Sequence, residues 1–165
     1  MLKTMHLFLA ATLLTALLVM PSVSTAGSLS LLSADEAQEL ALDDAEWEKG
    51  VASKGIGFGV GPKIVFESPE VENTDNGMVI KSPSQLSLLV VFKDGVAQVD
   101  MNTLNIRARK GWFSKNLTQR LAPYLEGNSI KAENVEIPSG RFKLEIKIAD
   151  SKGNESIQEY LCEIQ

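Results

Sequence analysis

From Arg141 to Ile148 the chain alternates without a break: Phe142, Leu144, Ile146 and Ile148 are apolar, while Arg141, Lys143, Glu145 and Lys147 are charged. A period of two sends successive side chains to opposite faces of an extended chain. This segment is therefore a half-buried strand that needs a second layer to cover its apolar side. The period recurs elsewhere. Ile64 and Phe66 share a face, and Leu86, Leu88, Val90 and Phe92 share another, with Leu89 and Val91 behind them, which predicts a central strand. Leu104, Ile106 and Ala108 alternate with Asn105, Arg107 and Arg109, and Tyr160, Cys162 and Ile164 fall on one side of the last strand. Lys93-Asp94-Gly95 has the chemistry of a hairpin turn. Short alternating strands separated by turn residues predict an all-β antiparallel sandwich over residues 63–165.

The N-terminal part differs. Lys3 precedes a 14-residue run, Leu7–Met20, broken only by Thr12 and Thr15, and Pro21 closes it. Ser24 and Ala26 place small residues three before and immediately before a cut after Ala26. That pattern predicts a cleaved secretory signal over residues 1–26, because the apolar run is short of the roughly 20 residues a membrane span needs. A periplasmic or secreted location follows, with no membrane span after cleavage. Residues 27–62 read as an acidic helical arm and a glycine-rich linker. Ser33-Ala34-Asp35-Glu36 has the capping-box form, Asp43 followed by Glu46 restarts a second helix or continues a broken one, and Ala37, Leu40 and Ala41 make only a thin apolar stripe. Gly55 to Gly61 alternates glycine with apolar residues before Pro62, and a strand rather than a helix follows, so the run is a linker or a loose first strand and not a phosphate loop.

Charge and residue usage narrow the chemistry. With 16 basic and 21 acidic residues the net charge is −5, against a nucleic-acid binder. The single histidine, His6, lies in the predicted signal, so the mature chain has no imidazole to serve as a base or a metal ligand. One cysteine, Cys162, excludes an intrachain disulfide and a Cys/His zinc site. No catalytic residue, metal or cofactor is expected.

Three landmarks resemble a known family. Gly95-Val96-Ala97-Gln98-Val99-Asp100-Met101-Asn102-Thr103-Leu104-Asn105-Ile106 resembles the glycine, Asp, then Ser/Thr-apolar-x-apolar signature of bacterial immunoglobulin-like domains of exported proteins. Pro138-Ser139-Gly140-Arg141-Phe142 resembles their Pro-x-Gly entry into a long strand, and Ala149-Asp150-Ser151-Lys152-Gly153-Asn154 resembles their Asp-x-x-Gly-Asn turn. The resemblance covers about residues 64–165 and implies an immunoglobulin-like sandwich used for spacing, adhesion or recognition without catalysis. Such domains often occur in tandem, whereas one copy is present here, which weakens a role as a stalk.

The candidate binding residues lie between these landmarks. Residues 101–125 hold five cations, Arg107, Arg109, Lys110, Lys115 and Arg120, and no acid. Residues 27–50 hold seven acids against Lys49 alone. Three readings stand: two solvated faces, an arm docked on the basic region of the same or a neighbouring chain, or a basic region that meets an anionic partner. Trp112 and Phe113, in the middle of the basic stretch, either fill the core or form an exposed platform for a sugar ring or a partner surface. Asp100 and Asp150 suit turns, since no dense Asp/Asn loop offers calcium the six to eight oxygens it takes. Cys162 is expected to be a buried thiol, with an intermolecular disulfide as the alternative. The expected function is an exported non-catalytic interaction or accessory module whose partner is another exported protein; the alternative is a glycan- or anionic-ligand-binding module built on Trp112 and the basic loop.

Overall fold

The computed structural model describes residues 28–51 and 59–165; the predicted signal and the first part of the glycine-rich run lie outside the described residues. Among the described residues, eleven strands form two sheets. The first has the order β1 (Leu29–Ser30), β9 (Ser129–Glu136), β5 (Gln85–Lys93), β2 (Lys63–Ser68), with β8 (Leu125–Glu126) also on β9. The second has the order β3 (Val71–Thr74), β4 (Gly77–Ser82), β11 (Glu155–Ile164), β10 (Gly140–Asp150), β6 (Val99–Lys110), β7 (Phe113–Asn116). Pairing is antiparallel except for β1 with β9 and β4 with β11. The set β2-β5-β9 facing β11-β10-β6-β7 follows the strand order of an immunoglobulin-type sandwich.

The period-two segments build this core. Phe142, Ile146 and Ile148 face inward from β10, Leu104, Ile106 and Ala108 from β6, and Val90 and Phe92 from β5, all buried. β5 is flanked on both sides by β2 and β9, and Leu89 and Val91 on its outer face are half-buried. On β9 the alternation breaks between Ala132 and Val135, where Asn134 takes a left-handed backbone (φ 54°) beside the register shift between Leu86 and Leu88 of β5. The extra residue lets Ile130, Ala132 and Val135 all reach the core.

One expected turn serves a different connection. Lys93-Asp94-Gly95 does not close a hairpin, because β5 and β6 lie in different sheets and the chain crosses between the layers there. Asp94 accepts from the Val99 N–H at 2.9 Å, and Val96 N–H donates to the Val60 carbonyl at 2.9 Å. A Cβ on Gly95 would sit 2.3 Å from the carbonyl oxygens of Val60 and Gly61, so the residue is glycine because two backbones meet there. Turn chemistry is local, whereas the choice of strand partner is not.

The N-terminal stretch is woven into the sandwich. β1 pairs with Val135 and Glu136, and Leu31 N–H donates to the Glu136 carbonyl at 3.0 Å. Helix α1 (Ala34–Leu40) starts at Ser33 and α2 (Asp44–Glu48) at Asp43, each with a reciprocal capping box to Glu36 or Glu46. Leu31, Leu32, Ala37 and Leu40 are buried in the main core. The chain then turns onto the outer face of the second sheet, where Leu42, Trp47 and Val51 pack on Val79 and Leu161. This cover explains why Leu161, which points away from the main core, has no exposed surface. Gly61 and Pro62 are also buried.

Candidate functional site

β6 and β7 are joined by a two-residue turn, Gly111-Trp112, with Lys110 opposite Phe113. Gly111 has φ 56°, the left-handed value needed at the first central position of a type II′ turn. This geometry throws Trp112 into solvent at 86% exposure and leaves Phe113 at 46%. The two rings stack on each other, with centroids 3.8 Å apart and planes at 26°. Of the two placements open for this pair, core or surface, the structure has the surface. The rings hold each other at the tip of a hairpin whose base belongs to a six-stranded sheet.

Four of the five candidate cations lie on the strands of the hairpin and Arg120 follows it, and the protein's own groups meet them. Arg109 pairs with Glu145 across the sheet, and Arg107 donates to the Asn105 side chain at 2.6 Å. Lys110 reaches the Ala41 carbonyl at 2.5 Å and Glu46 at 3.4 Å. Lys115 lies 3.9 Å from Glu36 and 3.7 Å from Glu39. Arg120 makes a forked contact with Glu36, at 2.7 and 2.8 Å, and donates to the Leu31 carbonyl at 2.6 Å. The acids facing Lys110, Lys115 and Arg120 all come from the helical stretch after Leu32.

Glu36 is the centre of this arrangement. The Arg120 guanidinium, then the Ser33 backbone N–H, then the charges of Arg120 and Lys115 hold its carboxyl down to about 2, against the cost of burial. The same fork raises Arg120. An incoming anion would have to displace a bidentate carboxylate to use this guanidinium. A further arginine joins from the outer face. Arg141 lies over the Trp47 ring, 5.0 Å from its centroid, and contacts Asp44 at 2.8 Å and Glu163 at 3.1 Å. In the sequence Arg141 is one polar member of an alternating strand, and nothing local marks it as a contact for residues nearly a hundred positions earlier.

The other singled-out residues have structural surroundings. Asp150 accepts from the Asn154 side chain at 2.8 Å and from the backbone N–H groups of Lys152 and Asn154 at 2.9 Å; these bonds, the Asn154 side chain first, lower its pKa. Asp100 accepts from Asn102 N–H and its side-chain amide. The Thr118 hydroxyl accepts from Ile106 N–H at 2.8 Å, and the Thr118 N–H donates to the Asn116 side chain at 2.8 Å. Cys162, expected to be buried, is half-buried, but its thiol packs against the main core, and that desolvation pushes its pKa up to about 12. Among the described residues no group of three or more His, Cys, Asp or Glu is placed to hold a metal ion, and no helix is long and apolar enough to cross a membrane.

No protein-family model matches the chain, and no curated protein matches it. Among solved structures, one of murine CRIg is similar at 8% sequence identity with a TM-score of 0.34, over 62% of this chain and 97% of that one. The sandwich is defined by its own sheet order and registers, to which this likeness adds nothing.

Proposed function

We propose that this chain is an exported, non-catalytic interaction module that contacts a partner protein through the Trp112–Phe113 tip. The observation that carries the reading is the stacked pair at the tip of the β6–β7 hairpin, with Trp112 86% exposed. Aromatic anchors on preorganised elements dominate protein interfaces, because they cover much apolar area at little cost in side-chain entropy. A fully covered ring of this kind buries about 150–250 Å². At about 25 cal/mol per Å², covering the 86% of Trp112 that is exposed offers about 3–5 kcal/mol before the costs of association. Export rests on the signal-like residues 1–26. The absence of histidine from the mature sequence supports a module without acid–base catalysis.

The alternative, a glycan or anionic ligand, would use the same Trp112 with Arg109 and its neighbours. Carboxylates already held by Arg109, Lys110, Lys115 and Arg120 favour the protein partner over the anion. Affinity capture from an extracytoplasmic extract tests the reading. Wild-type protein is expected to retain a stoichiometric protein that a folded Trp112→Ala/Phe113→Ala variant loses. Retention on a glycan array, with no protein captured, would transfer the site to the alternative.

A further inference from the structure

The hairpin that carries the aromatic pair also ends its sheet. β7 is the last strand of the second sheet, and among the described residues β6 is its only partner. Main-chain bonding alternates along this pair. Phe113 and Lys115, counted from the two-residue turn, direct their N–H and C=O groups toward β6, and the Leu117 N–H continues the pattern by donating to the Ile106 carbonyl at 2.8 Å. Ser114 and Asn116 lie between them in that alternation, so their main-chain groups point to the open side. Both residues are exposed, and among the described residues no other main-chain group meets them there. An open edge of this kind is a template for another strand.

We infer that the protein partner of the Trp112–Phe113 tip adds an extended, acid-bearing segment to the open edge of β7, a reading that rests on the function proposed above. The occupant is a strand because what stands free is a row of main-chain donors and acceptors at strand spacing. Charge narrows its chemistry. Arg107 stands opposite Asn116 in a pair without mutual hydrogen bonds, the kind in which side chains lie closest. Arg107 donates to the Asn105 side chain, while Glu145, beside it on β10, is taken by Arg109. A carboxylate on the added strand, level with Asn116, shares the face of Arg107, and an apolar side chain level with Phe113 meets the stacked rings. A second copy of this chain is the wrong occupant. The antiparallel self-pairing that uses Ser114 and Asn116 of both copies sets the two Lys115 side chains opposite each other, and like charges so placed destabilise a sheet.

The probe is the acetylated, amidated peptide Thr-Glu-Thr-Thr-Val-Thr, whose Glu lies level with Asn116 and whose Val lies level with Phe113 in the antiparallel orientation. Added to isotope-labelled protein, it is expected to move the Ser114 and Asn116 amide resonances and the Trp112 indole resonance along one saturating curve. Hydrogen exchange at the Ser114 and Asn116 amides should slow as they gain partners. Ser114→Pro removes a donor with no internal partner, leaves the β6 pairing in place, and is expected to weaken binding about tenfold or more. Two N-methylated peptides, each blocked along one edge, provide the same test should that variant not fold: one is expected to bind and the other not. Unshifted Ser114 and Asn116 amides in wild-type protein would overturn the inference, as would equal binding by the two methylated peptides. A Ser114→Pro variant that binds like wild type would overturn it too. If the Trp112→Ala/Phe113→Ala variant then still loses the peptide, the tip stands as the contact and only the added strand is refuted.

Discussion

Replacing Glu36 by Gln removes one charge from the contact between the N-terminal stretch and the sandwich while leaving its shape in place. Gln at the third helical position can still return the bond to the Ser33 N–H, so the capping box survives. What is lost is the charge-assisted fork with Arg120 and the attraction of Lys115. The Glu36 carboxyl is held at about 2, well below its ordinary 4.5. At 1.36 kcal/mol per unit the coupling has a ceiling of about 3 kcal/mol. Arg120 is more than a third exposed, and solvent screening there brings the expected loss to about 1–2 kcal/mol. For a domain of this size that is a fall in Tm of roughly 3–8 °C at pH 7.

The pH dependence carries the sign. Because the folded pKa lies below the unfolded one, the contribution is complete above about pH 5 and disappears as the pH falls toward 2. Urea unfolding of wild type and Glu36→Gln at pH 7, 4 and 2.5 should therefore give curves that differ at neutral pH and converge in acid. A variant as stable as wild type at pH 7, or a deficit that is the same at pH 2.5, would refute the electrostatic reasoning.

Other outcomes follow from the same structure. Ile146→Ala, at a site 1% exposed in the main core, should cost about 2–5 kcal/mol in chemical denaturation. Gly95→Ala should cost about 1–3 kcal/mol, because the new methyl group meets the carbonyls of Val60 and Gly61 rather than side chains that can move. Trp112→Ala should leave stability within about 0.5 kcal/mol of wild type, as expected of an exposed residue that touches mainly another exposed ring. Cys162 should react with a disulfide reagent far more slowly in native protein than in urea at pH 8, since burial suppresses its thiolate.

What could be read from the sequence divides along a physical line. Strand faces were legible at Phe142–Ile148 and Leu104–Ala108, because a half-buried strand writes its environment into a two-residue period. The role of Lys93-Asp94-Gly95 was not, since the same residues suit a hairpin and a crossing between layers. β1 has two residues and pairs 106 positions away, at Val135 and Glu136, too short an element to carry any period. The opposed charges of residues 27–50 and 101–125 were visible as composition, but which acid meets which cation depends on the folded chain: Arg120 sits in register with nothing that names Glu36. The exposure of Trp112 had a usable signal. Gly111-Trp112 lies between two short extended runs as a two-residue turn with glycine first, and residues at such a tip point outward.

The central claim is that the aromatic tip is where this protein meets its partner. A photo-cross-linking amino acid placed at position 112 reports contact directly, with position 152, an exposed turn residue at the other end of β10, as the comparison. Irradiation in an extracytoplasmic extract is expected to give one discrete protein adduct from position 112 and none from position 152. Adducts of equal yield from both positions, or none from position 112 while the protein still captures its partner, would contradict the account.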